Sequence, residues 1–249
     1  MTTVKESLGL IGVGAFGGFA VPYLALHFDV VVYDTKKECV DLLEKKCPVK
    51  VGDLRQAASC DIVILAVPVQ KLETVLREIA PIIRPGTLVM DVASVKVKPA
   101  QLMQDILPAH ADIVGVHPLF GPQSGKNGIE GLNVAVCNIR GQRGDGVGRF
   151  LADTLKLNVL RATPEEHDRE LAYIQGLTHL LARVIVSLDL PEFRFTTKAY
   201  DHMQKMVDMV RHDSDELFLA IAKENPFSGG AKKAFFEAAY KLEDKLGRD

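Results

Sequence analysis

From Leu8 to about Arg161 the chain alternates short apolar runs, rich in β-branched residues, with amphipathic stretches long enough to carry a helix. A strand that must reach a parallel neighbour needs such a crossover, so this rhythm predicts βαβ units and a mainly parallel sheet. The runs are Leu8–Val13, Val30–Asp34, Asp61–Val67, Thr87–Asp91, Asp112–Val116, Asn133–Cys137 and Asn158–Leu160, with helices over Lys36–Lys46 and Val69–Ile83.

At Thr163 the texture changes. Thr163-Pro164-Glu165-Glu166 supplies an N-cap, a proline at the first helical position and a glutamate that completes a capping box. Ile174, Leu177, Leu181, Val184 and Leu188 then recur at helical spacing, with a stop near Pro191, and no β-rich run follows. Further helices are expected over Thr197–Arg211, from Asp213 or Ser214, and after Pro226 and Gly229-Gly230. The expected organisation is an α/β domain over 1–162 and an all-helical domain over 163–249. So small a helical domain buries little surface by itself, which points to a homodimer built through it.

The 30 basic and 32 acidic residues leave a formal charge of -2, so there is no long-range positive field to recruit nucleic acid or anionic lipid. Cys39, Cys47, Cys60 and Cys137 form no C-x-x-C pair and read as reduced thiols. The histidines lack metal-ligand spacing, so no metal is expected. Met1–Glu6 leads straight into a short apolar strand broken by glycines, which is not the pattern of a signal segment. No apolar run approaches the roughly 20 residues of a membrane span. A soluble, cytoplasmic protein is expected.

Gly12-Val13-Gly14-Ala15-Phe16-Gly17 follows the first apolar run and opens a helical pattern. In that context the three glycines have separate uses: Gly12 for the tight turn, Gly14 for close backbone approach to a pyrophosphate, and Gly17 for close helix–strand packing. Ala15 and Phe16 would begin a helix whose free N–H groups favour an anion. The second run ends in Asp34, placed to accept both hydroxyls of an adenosine ribose, which tilts the choice towards NAD. Lys36 and Lys37 follow and can instead hold a 2′-phosphate, so NADP stays open. A tight strand-to-helix turn with no ligand is the bland alternative. Ala66-Val67-Pro68 and Asp91-Val92-Ala93-Ser94 close two more strands, where open α/β sheets bind ligands, so Val67, Pro68 and Ser94 join the cofactor candidates. The fold class is therefore Rossmann-type, a doubly wound sheet followed by helices.

After the run Asp112–Val116 comes His117-Pro118-Leu119-Phe120-Gly121-Pro122-Gln123-Ser124-Gly125-Lys126-Asn127-Gly128. This segment resembles the H-P-[ML]-F-G-P-x-S-G-K-N-G run of the prephenate/arogenate dehydrogenase family, the plant arogenate type above all. Ala93-Ser94-Val95-Lys96, Glu166-His167-Asp168 and Thr178-His179 resemble further family motifs in matching order. The resemblance runs from the glycine loop to about Pro226. It implies NAD(P)-dependent oxidative decarboxylation of a cyclohexadienyl acid in tyrosine biosynthesis, with a small-molecule substrate. His117 would be the general base, since a neutral imidazole suits proton transfer near neutral pH. Ser94 would orient the same hydroxyl, or alternatively cap the helix near Val97.

Asp168, Gln175, His179 and Arg183 share one face of the long helix, read as facing an interdomain cleft, with His179 and Gln175 on substrate. A half-buried histidine bonded to a neighbouring helix is the alternative for His179. The resemblance also implies an acid before the third C-terminal helix that favours the amine of arogenate over prephenate. Asp213 matches it, or is a plain N-cap. The family's carboxylate-gripping arginine has no clean match here, and Lys205 and Arg211 are the candidates. Nothing resembles a mutase or regulatory extension. Two rivals remain: another two-domain reductase of the β-hydroxyacid dehydrogenase or imine reductase type, and a non-catalytic NAD(H)-sensing module.

Overall fold

The computed structural model describes residues 5–247, so the leading Met1–Val4 lie outside the described residues. The strands are β1 (Ser7–Ile11), β2 (Asp29–Tyr33), β3 (Lys50–Val51), β4 (Ile62–Leu65), β5 (Leu88–Asp91), β6 (Asp112–Pro118), β7 (Asn133–Arg140) and β8 (Asn158–Arg161). They form one sheet in the order β3-β2-β1-β4-β5-β6-β7-β8. Every pairing is parallel except β6 with β7. The helices of this part are α1 (Ala15–Leu24), α2 (Lys37–Glu44), α3 (Leu54–Ala58), α4 (Val69–Ile79), α5 (Val97–Ile106) and α6 (Gly144–Arg149), the last running into a π-helical turn over Phe150–Thr154.

Strand side chains alternate between two cores, as the period of two requires. On one face Leu8, Leu10, Ile62, Ile64, Leu88 and Met90 pack with Val21 and Leu24 of α1 and Val40 and Leu43 of α2. On the other, Val63, Leu65, Val89 and Ile113 pack with Leu72, Leu76 and Ile79 of α4 and Met103 of α5. Because both faces are covered, the strands read as continuous apolar runs. The chain leaves β1 towards β2 on one side and reaches β4 on the other. The carboxyl ends of β1 and β4 thus flank the point where strand order reverses, the crevice in which open α/β sheets bind ligands.

Three elements were not expected from the sequence. β3 and α3 are short, although Asp53 and Gln56 close a full capping box on α3. Helix α6 contains Gly144, Gly146 and Gly148, which hid it from periodicity.

The chain divides into two compact units, one ending at Pro164 and the next starting at Glu165. The second unit holds α7 (Pro164–Ser187, its first residue in the preceding unit), α8 (Lys198–Val210), α9 (Asp215–Leu219) with a π-helical turn over Ala220–Glu224, and α10 (Ser228–Leu246). Thr197 caps α8 by accepting from the Tyr200 N–H, and Ser214 caps α9 by accepting from the Leu217 N–H. One expectation needs correction. Helix α10 starts at Ser228, so Gly229-Gly230 lie in its first turn instead of ahead of it. The apolar stripe of α7 is not a buried face: Ile174 is 63% and Leu188 59% exposed, while Leu171, Ala172, His179 and Ala182 are covered. No helix among the described residues is long and apolar enough to cross a membrane.

Candidate active site

The glycine loop is shaped as its spacing predicts. Gly12 has φ +104°, and a Cβ there would lie 2.5 Å from the Ala66 carbonyl oxygen. At Gly17 a Cβ would stand 2.1 Å from the Gly12 carbonyl oxygen, so α1 packs this close to the turn only with glycine. A Cβ at Gly14 would meet nothing within 4 Å, so that backbone is open on the side where a phosphate would approach. Gly14 is also the N-cap of α1 and provides no side-chain acceptor for the first-turn N–H groups of a helix that starts with Ala15 and Phe16.

Asp34, just past β2, binds this loop directly. One carboxylate oxygen accepts the Val13 N–H at 2.6 Å and the other the Lys36 N–H at 2.8 Å. Each oxygen keeps a second lone pair for a ribose hydroxyl. Val67 and Pro68 follow β4, with Pro68 at the N-cap of α4, and half-buried Ser94 follows β5. The N-cap of α5 is Lys96, which removes the capping alternative for Ser94. These residues fit a dinucleotide: an open turn at a helix N-terminus, an acid at the end of the second strand, and further strand ends beside them.

His117 lies at the carboxyl end of β6, as its place after an apolar run predicts. Strand β6 continues through it to Pro118, and it is 4% exposed, so it is no solvated loop residue. Val114 and Val116 point to the α1 face, which puts His117 on the opposite face with Gly115. A cleft of about 630 Å³ lies on the α1 face, lined at this edge by Phe16, Ala66, Val92, Pro118 and Phe120. His117 is not among its walls. On its own face stands a feature that reading the sequence missed: Lys96, fully buried, paired with Asp91 and donating to the Val116 carbonyl at 2.8 Å.

In the helical unit His179 is 6% exposed, and its Nε2 lies 3.8 Å from Asp213 Oδ2, too far for a hydrogen bond. Burial, and then the Arg183 guanidinium, lower the His179 imidazole to about 4, so it is neutral at physiological pH. Burial pushes the Asp213 carboxyl up from the usual range, against the pull of Arg183 and His212. Ser214, not Asp213, caps α9, so the N-cap alternative for Asp213 falls. One turn before His179, the Gln175 Oε1 is buried with no hydrogen-bond partner among the described residues.

Arg183, one turn after His179, belongs to the polar stripe. It is fixed by Asp215 at 2.8 Å, by the Asp213 carbonyl at 3.1 Å and by the Phe218 ring at 5.1 Å. Lys205 and Arg211 do not join this group. Lys205 is exposed on α8 and Arg211 pairs with Asp208 at 3.2 Å. Asp168 is drawn away from the stripe as well, bonded to His167 at 2.8 Å in the interior.

A Rossmann-type sheet with an open glycine turn, an acid closing its second strand and an imidazole at the carboxyl end of β6 defines a dinucleotide-binding protein with a helical companion unit. Residues 26–135 match the family described as "Prephenate dehydrogenase, nucleotide-binding domain". Over this region and beyond it the chain is similar to the prephenate/arogenate dehydrogenase family. It is 27% identical to arogenate dehydrogenase 1 of Arabidopsis thaliana over 97% of its own length and 39% of that protein's. It is 29% identical to the probable arogenate/prephenate dehydrogenase of Methanocaldococcus jannaschii over 80% of its own length and 47% of the relative's. The chain thus spans less than half the length of these curated relatives. Its fold is that of prephenate dehydrogenase from A. aeolicus, solved with hydroxyphenyl propionate and NAD+: TM-score 0.79 at 18% identity, covering 99% of this chain and 92% of that one.

Proposed function

We propose that the chain oxidatively decarboxylates a cyclohexadienyl acid, arogenate or prephenate, with NAD or NADP, and that His117 is the general base. The observation that carries this reading is a buried imidazole at the carboxyl end of β6, on the sheet edge that also bears the open glycine loop and Ser94. Bound nicotinamide would supply the hydride acceptor. His117 takes the proton of the ring hydroxyl, carbon dioxide leaves, and the ring becomes aromatic. Aromatisation provides the driving force, which leaves the protein chiefly to position the ring and receive that proton. Ser94 holds the same hydroxyl.

The glycine loop with Ala15, Phe16, Val67 and Pro68 carries the dinucleotide, and Asp34 favours an unphosphorylated ribose, hence NAD. Gln175, His179 and Asp213 bind the substrate's side chain. Their chemistry favours arogenate: a neutral imidazole, an unsatisfied amide oxygen and a carboxylate are three acceptors suited to an ammonium group. Arg183 replaces Lys205 and Arg211 as the cation of this group. The exposed apolar residues of α7 and α10, Ile174, Leu188, Tyr240 and Leu246 among them, are covered by a second copy, so the protein works as a homodimer.

The test is a two-by-two assay of prephenate or arogenate, each with NAD+ or NADP+, read as absorbance of the reduced cofactor. Arogenate with NAD+ is expected to be fastest. His117→Asn should lower kcat by about 10²- to 10⁴-fold with cofactor affinity unchanged. No turnover in any of the four combinations, with NAD(H) still bound, would leave a sensing module instead of an enzyme.

A further inference from the structure

We infer that the buried Lys96–Asp91 ion pair is a positioning device for His117: it fixes the peptide that carries the imidazole, and affects the rate through that residue. The inference rests on His117 being the base, and the experiment below separates the two claims.

The side chains of Lys96 and Asp91 are 0% and 1% exposed, and Lys96 heads the fully buried side chains by volume. Desolvating two charges costs as much as their attraction returns, and apolar residues of similar size often serve a core as well or better. Stability alone therefore does not explain this pair.

Its contacts do. Strand β5 ends at Asp91, opposite Gly115 of β6, so the next carbonyl of β6, that of Val116, extends past its neighbour. The Lys96 ammonium donates to that carbonyl at 2.8 Å and takes the place of the missing strand. On the other edge, Val116 and His117 pair with Val136 and Ala135 of β7. The Val116–His117 peptide is thus gripped from both sides. The Asp91 oxygen that receives Lys96 also accepts the Ala93 N–H at 3.1 Å, one residue before Ser94. The same carboxylate therefore anchors the loop of the second candidate group.

Gly115 makes room for the pair. A Cβ there would lie 3.1 Å from Lys96 Cδ and 3.3 Å from Asp91 Oδ2, tight enough to displace them. His117 projects from this same face of β6. Misplacing a reacting group by about 1 Å costs on the order of 10²-fold in rate, so a small shift of this peptide is enough to register.

The test removes both charges together, since losing one strands the other in the core. In K96M/D91N the methionine fills the lysine's volume and the asparagine keeps an acceptor for the Ala93 N–H. This variant should unfold within a few degrees of the parent and bind NAD+ equally well in a fluorescence titration. Its kcat with arogenate should fall about 10- to 100-fold, with KM changed less than about threefold. Placed in an H117N background, the same double change should cost less than about twofold, because the effect passes through the residue already lost. A folded K96M/D91N with parental kcat, or losses that multiply in the H117N background, overturns the inference and leaves the base intact. An H117N enzyme with parental kcat sinks the base reading itself. Should K96M/D91N fail to fold, G115A displaces the pair with its charges in place, and a folded G115A with unchanged kcat is equally decisive against the inference.

Discussion

The sheet unit and the helical unit solve the burial problem differently. In the first, both faces of the sheet are covered and residues such as Val63, Leu76, Ile79 and Val89 are wholly inaccessible. In the second, the covered apolar residues are Leu171, Ala172, Ala182, Val207, Ala220, Ile221 and Ala231, mostly small ones. Many of its large apolar side chains, Phe195 at 79% and Leu246 at 77% exposed among them, face outwards. Exposed apolar surface of this kind is what the homodimer proposed above would cover. One unit buries its large apolar residues itself, and the other leaves most of its own exposed.

Matched truncations sharpen this contrast. Leu76→Ala, in the closed core, should cost about 2–5 kcal/mol in urea unfolding, from lost transfer energy and the cavity left behind. Leu188→Ala, at a position 59% exposed in the single chain, should cost under about 0.5 kcal/mol at dilutions where the chain is monomeric, and more where it is associated. Equal costs at all concentrations would break the comparison. Val184→Glu with Leu188→Glu should weaken self-association about a hundredfold or more, as seen by sedimentation, since each buries a charge in the predicted contact. A monomeric parent removes the homodimer.

A smaller effect is the acid response of the helical unit. Folded His179 takes a proton only near pH 4 while the unfolded chain takes it near 6.5, so stability should fall as pH drops through that window and then level off. The full loss is about 3 kcal/mol, and His179→Gln should flatten it in a pH series of unfolding midpoints. Asp213 acts with the opposite sign: its raised value means charging disfavours the folded state, so Asp213→Asn should stabilise the protein once pH exceeds the ordinary carboxylate range. At the bottom of the scale, Arg77→Ala breaks an exposed pair with Glu73 on α4 and should change stability by less than about 0.5 kcal/mol.

The sheet was largely legible because strands buried on both faces leave unbroken β-branched runs, and the glycine loop because each glycine answers a separate steric demand. Asp53-x-x-Gln56 is a readable capping signal for α3, whereas the glycines of α6 carry no apolar period to read. In α7 the spacing identified two stripes but not which one the chain itself covers, since that depends on what packs against the helix. The Lys96–Asp91 pair was out of reach for a different reason. It depends on Gly115 of the neighbouring strand, and such a long-range match leaves no local trace.

Asp34 is tied at both oxygens to its own backbone surroundings, one bond reaching the glycine turn at Val13. Neutralising this residue, to admit a phosphorylated coenzyme under the reading proposed above, would at the same time take away the acceptor that steadies the turn. Asparagine, which retains an oxygen for the Val13 amide, is the shortest detour. Alanine or glycine would remove that acceptor and leave the loop slack.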